Sequence, residues 1–327
     1  KYPTNKLLRD KIIGLLSSIS NDNIDAQYNL GLIYLEEDDI FQARIYFLRA
    51  AENGHAESQY QVGLLFTRSE EGKKKYMNRA INYLTEASNN GHSDADVKLG
   101  DIYSTKDTTN FDMKKAISFY EKGSNRGNTE AQIRLGNLYK ENKDYDSMKK
   151  AIDYYRLACD NGNPTGLSEL GRFYYNGFGN YIVQNYEDAY NYLLKAADKY
   201  DKYAQYYVGL MEYFGHGCII NVPEAIEWLI AASKQDNDSF TEAMLKLGLL
   251  YINELKPTNN QANFNQIEFN YGAEFINVDE SVKWLSKASK KGNSEASNKL
   301  GKMYRKGRHV KKDINKAIEF YTDAADR

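Results

Sequence analysis

AQIRLGNLY, residues 131–139, places Ala131, Leu135 and Tyr139 on one side of a helix and a glycine, Gly136, in its middle. Glycine inside a helix costs about 1 kcal/mol relative to alanine, so a second sighting matters. The Leu-Gly or Val-Gly pair returns with its glycine at 31, 63, 100, 136, 171, 209, 248 and 301, at steps of 32 to 39 residues and a last step of 53. Eight units follow, each of solenoid-repeat length.

Downstream of each glycine stands a small residue: Ala43, Ala80, Ala116, Ala151, Ala189, Ala225, Ser281 or Ala317. Seven positions further comes another, from Ala50 and Ala87 to Ala288 and Ala324. Seven residues are two helical turns, so the two share a face, with aromatic or leucine side chains between them. Each unit therefore reads as a helix A carrying the glycine and a helix B carrying the small residues. The repeated glycine is compensated if a neighbouring helix approaches where a side chain is missing.

Spacing separates two kinds of connection. Gly54, Gly91, Gly127, Gly162 and Gly292, with Tyr200 in the same place, each stand nine residues before the next helix-A glycine, whereas Asp236 departs by three. Inside a unit the interval from glycine to first small residue varies from 12 to 18 and reaches 33 in the seventh. Constant joints propagate a regular array, and variable loops decorate one edge.

The bulk numbers agree with a folded helical chain. Hydrophobic residues make up 42% and charged residues 27%, and four prolines leave long helices uninterrupted. The net charge of −2 carries no footprint of a nucleic-acid binder. No apolar run approaches the roughly 20 residues of a membrane span. Two distant cysteines, Cys159 and Cys218, form no disulfide framework or metal pair and favour a reducing, cytoplasmic setting. A chain starting at Lys1 instead of methionine leaves open a removed leader, and with it secretion or the endoplasmic-reticulum lumen.

KLGKMYRKGRHVKKDINKAIEFYTDAAD, residues 299–326, resembles a Sel-1-like repeat, as do AAENGHAESQYQVG at 50–63 and EASNNGHSDADVKLG at 86–100. The resemblance covers nearly the whole chain and implies an all-α fold, a right-handed α/α superhelix (solenoid) related to tetratricopeptide arrays. Residues 1–22 are expected to form a capping helix or degenerate repeat. The array then fills 23–327, in units 23–55, 56–92, 93–128, 129–163, 164–201, 202–237, 238–293 with a long insert at 256–277, and 294–327. The last unit stops before its turn glycine, which points to an array or parent protein that continues.

By resemblance the chain is a non-catalytic scaffold or adaptor that binds a protein or peptide. Two alternatives are an adaptor of an endoplasmic-reticulum quality-control or membrane-associated complex, and the regulatory arm of a multidomain signalling enzyme such as a kinase. Some secreted relatives join their helices by cysteine pairs, which this sequence lacks.

Chemical motifs are sparse. GRFYYNGFGNY, 171–181, holds a G-x-G, but no strand precedes it and no Gly-Lys-Ser/Thr follows, so Gly177 and Gly179 read as turn residues. His55 and His92 share a turn slot in successive units, and His216 and His309 share a loop slot; as turn and loop residues they read as structural and not as metal ligands. No catalytic set, cofactor motif, metal site or small-molecule site emerges. Cys159 fills a small-residue core slot, and nothing activates Cys218. Asn237-Asp238-Ser239 is a lone glycosylation sequon. Glu212 stands where other units carry Tyr or Phe. Burying it unpaired would cost several kcal/mol, and a local helix shift that puts Tyr213 in the core relieves that cost.

In tetratricopeptide geometry, the positions three before, one after and four after the helix-A glycine face the concave side. The analogy yields candidate partner contacts Tyr28, Leu32, Tyr60, Leu64, Ile133, Asn137, Lys140, Arg172, Tyr175, Tyr206, Leu210 and Phe214. The same slots hold Leu245 and Leu249 in the seventh unit, then Asn298, Lys302 and Arg305 in the eighth. Apolar side chains at slots facing solvent would form a partner surface.

Overall fold

Helix follows helix throughout the computed structural model, which describes residues 3–68, 73–106, 108–235, 240–255 and 275–326. Seventeen helices and no strand occur among the described residues. By contact density the chain divides into two compact units, Lys1–Asn161 and Gly162–Arg327.

The first unit opens with α1 (Pro3–Ile19) and continues in four pairs. These are α2 (Ile24–Glu36) with α3 (Ile40–Glu52), α4 (Ala56–Thr67) with α5 (Lys73–Asn89), α6 (Ser93–Ser104) with α7 (Met113–Asn125), and α8 (Thr129–Glu141) with α9 (Tyr145–Asp160). In the second unit α10 (Pro164–Asn176) pairs with α11 (Tyr186–Ala197), and α12 (Lys202–Phe214) with α13 (Val222–Ser233). Then α14 (Thr241–Leu250) pairs with α15 (Val278–Lys290), and α16 (Ser294–Lys306) with α17 (Ile314–Ala325). Each pair is one helix A and one helix B, and each unit holds four repeats.

The helix-A glycines do what their cost requires. A Cβ on Gly31 would stand 2.5 Å from the Phe47 ring, and one on Gly171 would stand 2.7 Å from Leu193. In all eight repeats the obstructing side chain is four residues after the first small residue of helix B, so the missing methyl is the seat of one large side chain. Beside that seat, the residue three after the glycine stacks on the helix-B aromatic. Tyr34–Tyr46, Tyr103–Phe119, Tyr139–Tyr154, Tyr174–Tyr192 and Tyr304–Phe320 lie 5.5 to 5.8 Å apart and within 10° of parallel.

Both connections are closed by backbone hydrogen bonds. At the joints Gly54 takes φ +81° and Tyr200 takes +63° in its place. The following N–H then reaches back to the second small residue: His55 to the Ala50 carbonyl at 3.2 Å, Asp201 to Ala196 at 3.1 Å, Asn293 to Ala288 at 3.0 Å. This is the Schellman closure, with glycine relieving the left-handed position. At the other end of the repeat, the first residue before helix B donates its N–H to the carbonyl three after the glycine. Asp39 bonds Tyr34 at 2.9 Å, Asn185 bonds Tyr174 at 2.9 Å, and Asn277 bonds Tyr251 at 2.9 Å. One bond thus closes loops of very different length.

Asparagine caps many of the helix starts. Asn23, Asn128, Asn163, Asn221, Asn277 and Asn293 all accept a first-turn N–H, each such cap worth about 1 kcal/mol. His55 and His92 do the same through Nδ1, from Ser58 at 3.2 Å and Ala95 at 3.3 Å. Their imidazoles are caps, in keeping with their turn slot.

Candidate functional site

The helix-A positions divide into buried and accessible ones. Ile133, Tyr175, Leu210 and Phe214 are each 5% exposed, so the chain itself covers them. Tyr175 bonds its hydroxyl to His216 Nδ1 at 2.9 Å and packs edge-on to Tyr207. Burial raises its pKa and lowers that of His216, so both are neutral structural groups. The loop of the sixth repeat reaches this far because a Cβ on Gly217 would collide with the Tyr186 carbonyl, a contact only glycine permits. Gly177, at φ +73°, caps α10 and is followed by the Phe178–Ile182 bridge; these are turn glycines, as their spacing suggests.

Several remaining candidates have partners of their own. Tyr28 packs on His55 at 4.9 Å, and Tyr60 stacks on His92 at 4.4 Å, whose Nε2 meets Glu57 at 2.7 Å. In the second unit Tyr206 meets Phe240 at 5.5 Å. An aromatic three before the glycine is thus matched by a ring in the cap slot of the next repeat. Leu32 and Leu64 are half-buried, Asn137 is exposed and accepts from Tyr155 at 2.7 Å, and Lys140 lies 5.9 Å from the Tyr155 ring.

Arg172 and Tyr206 are brought together. They line a cleft of about 440 Å³ with Lys202, Tyr203, Tyr207, Phe240 and Glu242. The Arg172 guanidinium sits 5.6 Å from the Tyr203 ring and 5.5 Å from that of Tyr207, and Nη1 bonds Glu169 at 2.8 Å. Its Nε is buried without a hydrogen-bond partner. Burial opposes the charge on Arg172, but Glu169 and the tyrosines outweigh it and hold the guanidinium protonated. Phe240 occupies a cap slot, and α14 has no side-chain cap. Tyr203, Tyr207 and Phe240 were absent from the sequence candidates, although an aromatic in a slot otherwise filled by Asn, Asp or His was a visible signal.

Another cleft, of about 550 Å³, lies in the first unit and is lined chiefly by polar residues such as Asn78, Asn82, Thr109 and Asn110. It offers few anchors. Among the described residues no three His, Cys, Asp or Glu side chains converge as a metal site, and no helix is long and apolar enough to cross a membrane. The sequon at Asn237 and residues 256–274 of the insert lie outside the described residues.

Glu212 corrects an expectation. Tyr213 is buried, but no register shift puts it there: Asn221 N–H bonds the Glu212 carbonyl at 3.0 Å, the same closure as in other repeats. Glu212 keeps the stacking slot and is only 3% exposed. Tyr190 donates its hydroxyl to Oε1 at 2.8 Å, while Oε2 makes no hydrogen bond. Burial raises the Glu212 pKa, against the opposing pull of Tyr190 and Trp228. Cys218, beside it, is pushed up to about 11 by burial and by that carboxylate, which makes it an unreactive thiol.

Comparison with known proteins agrees with this architecture. The Sel1 repeat model matches residues 24–55, 56–92, 93–128, 129–163, 164–201, 202–237, 269–293 and 294–327. Comparison with curated proteins gives no match. Among solved structures, a protective antigen present in uropathogenic Escherichia coli strains and displaying an SLR fold superposes with a TM-score of 0.76 at 24% identity. The match covers 96% of this chain but 64% of that one, so this chain spans less than two thirds of the relative's length. A Sel1 repeat protein from Oxalobacter formigenes gives a TM-score of 0.64 at 23% identity, covering 96% of this chain and 86% of that chain. Sel1 repeat proteins are generally protein-interaction scaffolds and generally non-catalytic. With helix pairs, glycine seats and eight matched repeats, this chain belongs to the Sel1 repeat family.

Proposed function

We propose that the chain is a non-catalytic scaffold that holds a partner protein or peptide against its helix-A surface, with the Arg172–Tyr206 cleft as the principal anchor site. The observation that carries this is the guanidinium of Arg172 packed on Tyr203 and Tyr207 in an open cleft, with Nε left unpaired. Arg and Tyr, with Trp, are the side chains that most often dominate binding energy at interfaces. Within the first unit, the half-buried Tyr28, Leu32, Tyr60 and Leu64 are further candidate contacts on helix A, with Asn137 and Lys140 as polar ones. Ile133, Tyr175, Leu210 and Phe214 support that surface from beneath.

The test is a display selection of peptides on the full chain, followed by affinity measurement on Arg172→Ala and Tyr203→Ala. Loss of about 2 kcal/mol or more in either variant, with circular dichroism unchanged, supports the anchor role. Selected peptides that bind both variants as they bind the parent chain would remove the cleft from consideration.

A further inference from the structure

Residues 299–316 contain eight Lys or Arg and one acid, Asp313, in a chain whose net charge is −2. Two of the eight are engaged: Lys299 and Arg308 both pair with Glu254, which His309 also contacts at 3.2 Å. Burial raises the Glu254 pKa, but these cations outweigh it and keep the carboxylate ionised. Lys316 lies 5.2 Å from the Tyr304 ring. Lys302, Arg305, Lys306, Lys311 and Lys312 are exposed and form no ion pair among the described residues.

The α16 macrodipole accounts for Arg305 and Lys306, which lie in the last turn of the helix. It does not account for Lys302, a turn earlier, or for Lys311 and Lys312, beyond the helix end. Lys302 also borders a cleft of about 260 Å³ between α14 and α16, walled by Leu245 and Leu249 with Ser294 and Asn298 at its edge. Asn298, Lys302 and Arg305 follow one another at i, i+4 and i+7, hence along one side of α16. A notch whose two apolar residues, Leu245 and Leu249, sit among polar ones therefore adjoins a row of cations that form no ion pair among the described residues.

We propose that this face of the last two repeats docks an acidic peptide segment of a partner protein, its leucine-like side chain in the Leu245–Leu249 notch and its carboxylates on Lys302, Arg305 and Lys306. The proposal rests on the scaffold reading above and names the chemistry of the partner. Charge complementarity selects this occupant. Glu295 lines the notch and Glu254 stands close by, so a continuous phosphate backbone would meet carboxylates there, whereas a peptide sets its acids only opposite the cations.

The experiment is fluorescence anisotropy of the full chain with a short labelled peptide of aspartates and glutamates around a central leucine. Three controls accompany it: the Asn/Gln counterpart, the same acidic peptide with serine for leucine, and the Lys302→Glu/Arg305→Glu variant. The acidic peptide should bind, and the double variant, the amide peptide and about 0.5 M salt, where screening acts within ~4 Å, should each weaken binding about tenfold or more. The serine peptide should lose several-fold. Absence of binding, equal binding of the amide peptide, or indifference to Lys302→Glu/Arg305→Glu in a variant of unchanged circular dichroism overturns the proposal. Binding of the acidic peptide that Arg172→Ala abolishes and the double variant does not also overturns it, while leaving the Arg172 cleft as the docking site. Tighter capture of a single-stranded oligonucleotide or of phosphatidylserine vesicles, lost in the double variant, assigns the face to those ligands and overturns the peptide.

Discussion

Repeats six and eight are built to one plan and use it in opposite ways. Both close helix A to helix B with the same backbone bond, Asn221 to Glu212 at 3.0 Å and Asp313 to Tyr304 at 2.9 Å. Both seat a large helix-B side chain on a helix-A glycine, Leu229 on Gly209 and Tyr321 on Gly301. In repeat six, however, residues 208–214 are all buried, and no Lys or Arg occurs from 203 to 233. In repeat eight the corresponding turns of helix A expose Lys302, Arg305 and Lys306. The closure and the glycine seat define the repeat; the rest of helix A is free to become core or surface.

The glycine seats offer the strongest way to break this comparison. A Cβ on Gly209 would lie 2.9 Å from Leu229 and 3.0 Å from the Ala225 carbonyl, which cannot rotate away. The three atoms nearest a Cβ on Gly301 all belong to the Tyr321 ring, the first at 2.8 Å, on the half-buried final helix. Gly209→Ala should therefore cost about 1–3 kcal/mol by overpacking, in excess of the roughly 1 kcal/mol gained in helix propensity. Gly301→Ala should cost less. Denaturant melts rank the two, and equal effects would mean that backbone obstruction is irrelevant.

Glu212 comes next. Its folded-state pKa is raised, so its contribution to stability is complete below the unfolded value and is lost as pH rises through the folded one. Glu212→Gln keeps the Tyr190 hydrogen bond and should stabilise the chain at pH 7 by of order 1 kcal/mol, with the two proteins converging below about pH 4. A constant difference at both pH values would assign the effect to packing. Cys218, a neighbour of the same carboxylate, should react with iodoacetamide at neutral pH about two orders of magnitude more slowly than a free thiol, measured in Cys159→Ser. The smallest effect belongs to repeat eight: Lys302→Glu/Arg305→Glu should shift stability by no more than about 0.5 kcal/mol, since both side chains are exposed.

The repeat itself was legible because its constraints are local. A glycine, two small residues two turns apart and a positive-φ joint each leave a residue-type mark at a constant spacing. The site was less legible. Tyr175 stands in a slot that analogy places on the surface, but it is covered when the Gly217 loop of the following repeat brings in His216. Tyr28 and Tyr60 read as free anchors until the cap-slot histidines are placed on them. Each is a contact between residues one repeat apart, which periodicity within one repeat does not reveal. Lys302 and Arg305 fell in partner-facing slots, but the cluster at 299–316 did not stand out as one, since acids elsewhere in the chain balance it in the total.

The bond from Asn277 to the Tyr251 carbonyl has a practical corollary for engineering. With the two ends of that excursion already pinned, doubling its length adds only about 0.6 kcal/mol of closure entropy. The Tyr251–Asn277 connection is thus the natural port for grafting an epitope, a fluorophore domain or a second binding module without disturbing the helices on either side.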